Sequence, residues 1–216
     1  MQKANSLAYL YNEMEKYLKQ TEFFDFEHEV VQNFVKLHTK EANSLKEKAV
    51  ELFKAVRDGW FYYPYNVYGN KDMLKTSAIM QREKGHCQDK ACILVSCFRA
   101  IELPSRLHLA KVINHIAIEN IESKFGSKEL TPHASVQVFL ENKWIDITPA
   151  FNKELCEKLG VHTLEFDGEN DAMFQQFSKN GNQFMEYIED YGVFEDYPYE
   201  FVRANLKEHY PQITWL

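Results

Sequence analysis

A thiol stands at the opening of an apolar run: Gly85-His86-Cys87-Gln88-Asp89-Lys90-Ala91, continued by Ile93, Leu94, Val95 and Phe98 at helical spacing. The first turn of a helix leaves backbone N–H groups free and carries the positive end of the helix dipole. Both favour thiolate, so the pKa of Cys87 is expected to fall. Cys92 and Cys97 lie deeper among apolar neighbours and read as inert packing residues. A thiolate attacking a carbonyl needs a base that titrates near neutrality, usually histidine. Of the eight histidines, His133 is distinctive, because it follows Pro132 and opens the alternating run Ala134-Ser135-Val136-Gln137-Val138-Phe139-Leu140. A ring placed there can project beyond a sheet edge. His115, after Val112-Ile113-Asn114, is the alternative base. His86 adjoins Cys87, but neighbours at a helix start point apart. His28, His38, His108, His162 and His209 read as surface or packing residues.

Several elements must position this pair. The spacing of Leu7, Leu10, Tyr11, Met14, Tyr17 and Leu18 predicts an amphipathic helix over Ser6 to Leu18, and a second covers His28 to Leu37. Ser44 and Glu47 have the form of a capping box for a third helix, which runs on to Asp58-Gly59. The segment from Trp60 to Tyr68 is the most aromatic of the chain. It reads as core or loop packing, with the wall of a binding cleft as the functional alternative. A short helix from about Ser77 to Lys84 stops at Gly85 as a left-handed residue, and the helix opened by Cys87 runs to Ile101. The pattern then alternates. Arg106 to Val112, Ala134 to Leu140 and Lys143 to Thr148 read as strands, the last two joined by a Glu141-Asn142 turn. The tail returns to helices over Asn152 to Leu159, closed by Gly160, and over Pro198 to His209. Between them lies a mixed acidic and aromatic stretch, for which core packing is the simpler reading and a cover over the cleft the other. Helices first and an antiparallel sheet afterwards indicate an α+β fold. The chain is expected to form a single domain over residues 1–216, with a motif-bearing core of about 45–151, a helical N-terminal extension 1–44 and a C-terminal extension 152–216.

A net charge of −7 argues against a duplex nucleic-acid binder, which needs a basic face to displace counterions. No run approaches the roughly 18 to 20 apolar residues of a membrane span, and the N-terminus lacks the apolar core of a secretory signal. A cytoplasmic location is the expectation. Reduced thiols agree with it, since Cys87, Cys92 and Cys97 share one helix at spacings that cannot readily bridge. No Cys/His spacing suggests a metal site.

Three ordered motifs give the pattern a family. Lys84-Gly85-His86-Cys87-Gln88-Asp89-Lys90-Ala91 is followed by Phe98-Arg99-Ala100-Ile101-Glu102-Leu103-Pro104-Ser105-Arg106. The strand from His133 then runs through Glu141-Asn142 to Lys143-Trp144. Together they resemble the transglutaminase-like superfamily, with G-x-C at the nucleophilic helix, R-A-x-G-I-P-x-R at its end, and a base-bearing strand leading to K-W. The resemblance spans about Leu45 to Phe151. It implies a papain-like cysteine, histidine and aspartate triad, and acyl transfer or hydrolysis at peptide or side-chain amides.

One position departs from the pattern. The family's strand ends W-x-x-x-D-P-T, whereas Trp144-Ile145-Asp146-Ile147-Thr148-Pro149-Ala150 puts Thr148 where the aspartate belongs. With Glu141-Asn142 as the turn, Ser135 pairs with Thr148 and Gln137 with Asp146. Thr148 is then diagonal to His133 at roughly 7 Å between backbones, and Asp146 lies on the order of 6 to 7 Å further along. The run through Phe151-Asn152 and Leu164-Glu165-Phe166-Asp167-Gly168 is similar to a bacterial subgroup with threonine at this place. The candidate third members are therefore Thr148, Asp146 and Asp167, the last also an ordinary turn residue before Gly168. An oxyanion hole would use the Cys87 N–H plus a donor such as Tyr65, Tyr68 or Gln81. Two functions follow: a cysteine-dependent hydrolase or acyltransferase acting on a peptide or protein amide, or a catalytically attenuated peptide-binding or scaffold domain. Neither needs a cofactor, and the pattern leaves the oligomeric state open.

Overall fold

The structure is a computed structural model, and it describes residues 13–65, 68–115, 122–123, 126–173 and 177–212. The helix expected over Ser6 to Leu18 falls mostly outside the described residues, of which 13–15 are helical.

Two helices build the first layer. α1 (Glu29–Thr39) is capped by the His28 ring, and α2 (Leu45–Gly59) by Ser44, whose hydroxyl accepts the Glu47 N–H at 3.1 Å. The reciprocal half of that box is displaced by one residue, because the Glu47 carboxylate takes the N–H of Asn43. Val31, Val35, Ala49, Leu52, Phe53 and Val56 turn inward, as the three-and-four spacing requires. A two-residue strand β1 (Phe61–Tyr62) pairs in parallel with β2 (Lys84–Gly85). Between them lie a 3₁₀ turn (Lys71–Leu74) and the single-turn α3 (Thr76–Ile79), in place of the longer helix expected to Lys84. Gly85 is not the left-handed cap expected. It is extended in β2, and a Cβ there would meet Asp89 Cβ at 3.1 Å, so glycine lets this strand lie against the helix that follows.

That helix, α4 (Cys87–Ala100), is buried on nearly every side. It packs on a four-stranded antiparallel sheet made of β3 (Ser105–Asn114), β4 (Glu129–Leu140), β5 (Lys143–Ile147) and β6 (Met185–Phe194), in the order β5-β4-β3-β6. Glu141 and Asn142 both have positive φ and form the turn between β4 and β5, which pairs Leu140 with Lys143 and Gln137 with Asp146. β6 was not visible as a strand in the sequence. It is an edge strand with exposed residues at its centre, so Met185-Glu186-Tyr187-Ile188-Glu189-Asp190 shows no apolar alternation. α5 (Lys153–Leu159), closed by left-handed Gly160, and α6 (Tyr199–His209) complete the chain. Helices on one side of an antiparallel sheet make the fold α+β.

The two sheet faces differ. Leu107, Leu109, Ala134, Val136, Val138, Ile145 and Ile147 form the face in the main core. The alternate residues His108, Ala110, His133, Ser135, Gln137 and Asp146 form the other face, with Thr148 just past the end of β5.

Candidate active site

Cys87 is the first residue of α4, and its N-cap is His86, whose Nδ1 accepts the N–H groups of Gln88 and Asp89 at 3.1 and 3.3 Å. Asp89 returns the contact by accepting the His86 N–H at 3.1 Å. A histidine cap carries no Ser/Thr/Asp/Asn signature, which is why the sequence placed the helix start without its cap. Lys90 fixes the base of the site. Its Nζ donates to the carbonyls of Arg57, Trp60 and Ala150 at 2.6, 3.0 and 2.8 Å, tying α2, the aromatic segment and the end of β5 to the thiol-bearing turn.

β4 brings the backbone around His133 against the same turn, where Gln88 reaches the Pro132 carbonyl. Ala110 pairs with His133 and Val112 with Leu130, so two steps on β3 face three on β4, and this bulge at Thr131-Pro132 lies immediately before the histidine. The backbone N–H groups of Ala134, next in chain to His133, and of Gln88 and Cys87 itself act on the Cys87 sulfur and pull its pKa down. Gln88 locks this arrangement: its amide donates to the Pro132 carbonyl at 2.7 Å and accepts the Tyr197 hydroxyl at 2.6 Å.

The electrostatics oppose the expectation of a thiolate. Burial pushes the Cys87 thiol up to about 11, against the three N–H groups that pull it down. Burial likewise drives His133 down to about 4, and the nearby His108 adds to the fall. The free amides at the helix start do act on the sulfur as expected, but desolvation outweighs them. The resting pair is thiol and neutral imidazole. His133 is 2% exposed and, among the described residues, both its ring nitrogens lack a hydrogen-bond partner, as does the buried Oγ1 of Thr148.

The three candidate third members separate. Thr148 is buried just past β5, held by its N–H to the Ala172 carbonyl at 2.8 Å, with its hydroxyl unused. Asp146 is opposite Gln137, accepts from its amide at 3.0 Å, and lies 3.4 Å from Nδ1 of His108. Asp167 sits in an exposed turn, where its carboxylate accepts from the N–H groups of Glu169 and Asn170 and from the Asn170 amide, which hold its pKa down to about 2. The alternative base His115 bonds Glu186 at 2.9 Å. Gln81 spends its amide on the Ser77 carbonyl at 3.2 Å. Arg106 is held by neutral partners. It bonds Gln137 and stacks on Trp144.

A polar cluster escaped the sequence reading. His108 is 8% exposed, its Nε2 is 2.9 Å from Oδ1 of Asp190, and its Nδ1 is 3.2 Å from Ser135 Oγ. Tyr187 of β6 lies beside the same serine. The signal was period-two alternation: Arg106, His108 and Ala110 share a face with His133 and Ser135. Without β6, which supplies Asp190, nothing in the sequence joined them.

A cleft of about 60 Å³ opens against Cys87, its wall including Tyr62, Tyr68, Tyr197, Tyr199, Leu206 and Tyr210. Three of those hydroxyls are committed to the framework: Tyr197 to Gln88, Tyr199 to the Gly69 carbonyl and Tyr210 to the Glu129 carbonyl. The cleft therefore presents mainly ring faces and aliphatic carbon. Cys92, Cys97 and Cys156 are buried and do not line it.

The fold and this arrangement of motifs define a transglutaminase-like protein. The family model for the transglutaminase-like superfamily matches residues 30–149, more than half of the 216 residues, and the chain belongs to that superfamily. Among solved structures the chain is similar to a candidate cysteine protease from Cytophaga hutchinsonii, with a TM-score of 0.55 and 11% identity over 88% of this chain and 50% of that one. The chain thus spans about half the length of that structure, and at this identity the likeness concerns the fold. No curated protein matches. No helix among the described residues is long and apolar enough to cross a membrane.

Proposed function

We infer that the protein is a cysteine-dependent enzyme acting on peptide or side-chain amides, with Cys87 as nucleophile and His133 as its base. The observation that carries this reading is the sulfur of a helix-opening cysteine, held by the N–H beside His133 at the end of an aromatic cleft. In the reaction, neutral His133 takes the thiol proton as Sγ bonds the carbonyl carbon. The C–N bond then breaks with return of that proton to the leaving amine, and water or a second amine releases the acyl group from the thioester. The N–H of Cys87 is free of a helical partner by position and is a donor for the oxyanion, whereas that of Gln88 is taken by the His86 ring. A cleft of ring faces suits a substrate with an apolar side chain beside the amide. Thr148, with its unused hydroxyl diagonal to His133, is the third member this reading favours, over Asp146 and Asp167, whose carboxylates are engaged elsewhere.

The second reading, an attenuated peptide-binding domain, is favoured by one observation: neither His133 nitrogen has a hydrogen-bond partner among the described residues. The two readings separate on covalent capture. Incubation with a peptidyl acyloxymethyl ketone bearing leucine or phenylalanine, followed by mass spectrometry, is expected to give a single adduct on Cys87. Cys87→Ser is expected to abolish it and His133→Ala to slow it on the order of 10³-fold. Absence of an adduct on folded protein, with full iodoacetamide labelling after denaturation, supports the binding domain instead.

A further inference from the structure

Beside the Cys87 and His133 pair lies a cluster that the proposed chemistry does not use. His108 of β3 faces Asp190 and Tyr187 from β6, Ser135 and His133 from β4, and Asp146 from β5. On its own strand Arg106 is engaged with Gln137 and Trp144, and the next charge, Lys111, pairs with Glu129 and Glu189. One imidazole thus has two carboxylates, at 2.9 and 3.4 Å, and a hydroxyl at 3.2 Å, all on the sheet face that carries His133. Burial opposes charge on His108, but the Asp146 carboxylate at 3.4 Å and the bond to Asp190 outweigh it and hold its pKa above the ordinary histidine value.

Resting on the reading of Cys87 and His133 as a working pair, we propose that His108 is a positioning residue whose charge sets how strongly His133 can accept the thiol proton. The geometry supplies the reason. Ser135 stands two residues from His133 on β4 and opposite His108 on β3, so the two rings are diagonal neighbours on one buried face. While His108 is charged, it cancels one of its two carboxylates and repels a second imidazolium. Once it is neutral, Asp146 and Asp190 are uncompensated, and their field favours charge on His133 as the absent triad aspartate would. The missing carboxylate is in this sense replaced by a pair set back behind a titratable ring.

The test is the rate of iodoacetamide alkylation of Cys87 in the full chain, in which the C–S bond forms, iodide leaves and the thiol proton passes to His133. The wild-type rate is expected to rise in two steps with pH: one where His133 becomes neutral, and a second, on the order of 3- to 10-fold, where His108 loses its proton. His108→Gln keeps hydrogen bonding without charge. It is expected to keep the first step, lose the second and lie at the upper rate below pH 7. Should that variant not fold, the His108 ring titration followed by NMR in the wild type is expected to coincide with the second step. A second step that persists in His108→Gln, or that falls away from the His108 titration, overturns the proposal. If His133→Ala leaves the whole profile unchanged, the Cys87 and His133 reading itself fails, and the two failures are distinguishable.

Discussion

The two faces of the β3-β4-β5 sheet are written by the same strands and obey opposite rules. On the α4 side, Ala134, Val136, Val138, Ile145 and Ile147 are almost fully buried, and their stability comes from apolar area removed from water. On the far side, His133, Ser135, Gln137, Asp146 and Thr148 are polar, and what matters is whether each polar atom has a partner. There the face divides again. Gln137 is satisfied between Arg106 and Asp146, and Ser135 by His108. Among the described residues the ring nitrogens of His133 and the hydroxyl of Thr148 are not, and neither is one carboxylate oxygen of Asp146. Buried polar atoms without partners cost about 1–3 kcal/mol each, so His133, Thr148 and Asp146 sacrifice stability that Gln137 and Ser135 keep. The proposed site would have that character, because polar atoms without partners at rest are available for a proton or a substrate atom.

The comparison can be broken at its apolar side first. Val136→Ala leaves a void between β4 and α4 and is expected to cost about 2 to 3 kcal/mol in chemical denaturation, with Cys87 labelling of the folded fraction unchanged. A smaller effect is expected from restoring the family's carboxylate. Thr148→Asp places charge diagonal to His133 and is expected to raise Cys87 alkylation at pH 7 by about 10-fold, moving its acid limb to higher pH as His133 becomes more basic. An unchanged rate would mean that position 148 does not reach the ring. The smallest effect is expected from Thr148→Val, which removes a buried hydroxyl with no partner and keeps the shape. It should stabilise the fold by up to about 1 kcal/mol, where the same swap at a satisfied position would destabilise it. Loss of stability in Thr148→Val would show that the hydroxyl is bonded in solution.

Much of this architecture was legible from local pattern. The helix opened by Cys87, the strand opened by His133 and the Glu141-Asn142 turn each have a short-range signature, and the turn alone set the register that pairs Gln137 with Asp146. What stayed hidden depended on long-range placement. β6 has the composition of an exposed edge, so its Asp190 and Tyr187 could not be joined to His108. His86 caps α4 with a ring that resembles no usual cap, and Gly85 serves close packing rather than a left-handed turn. The protonation of Cys87 failed for a similar reason. The helix start favours thiolate locally, but the aromatic cleft and the cover formed by Phe151, Phe184 and Met185 remove water, and no local pattern reports desolvation.

The account rests on His133 acting as base for a thiol that does not ionise by itself near neutrality. The most direct test is the pH dependence of Cys87 alkylation by iodoacetamide in the wild type and in His133→Ala. With His133 present, the rate is expected to rise in the acid range as the ring, held down to about 4, becomes neutral, and to persist through neutral pH. Without it, labelling is expected to appear only as the thiol ionises, toward about 11. Superimposable profiles for the two proteins would contradict the account.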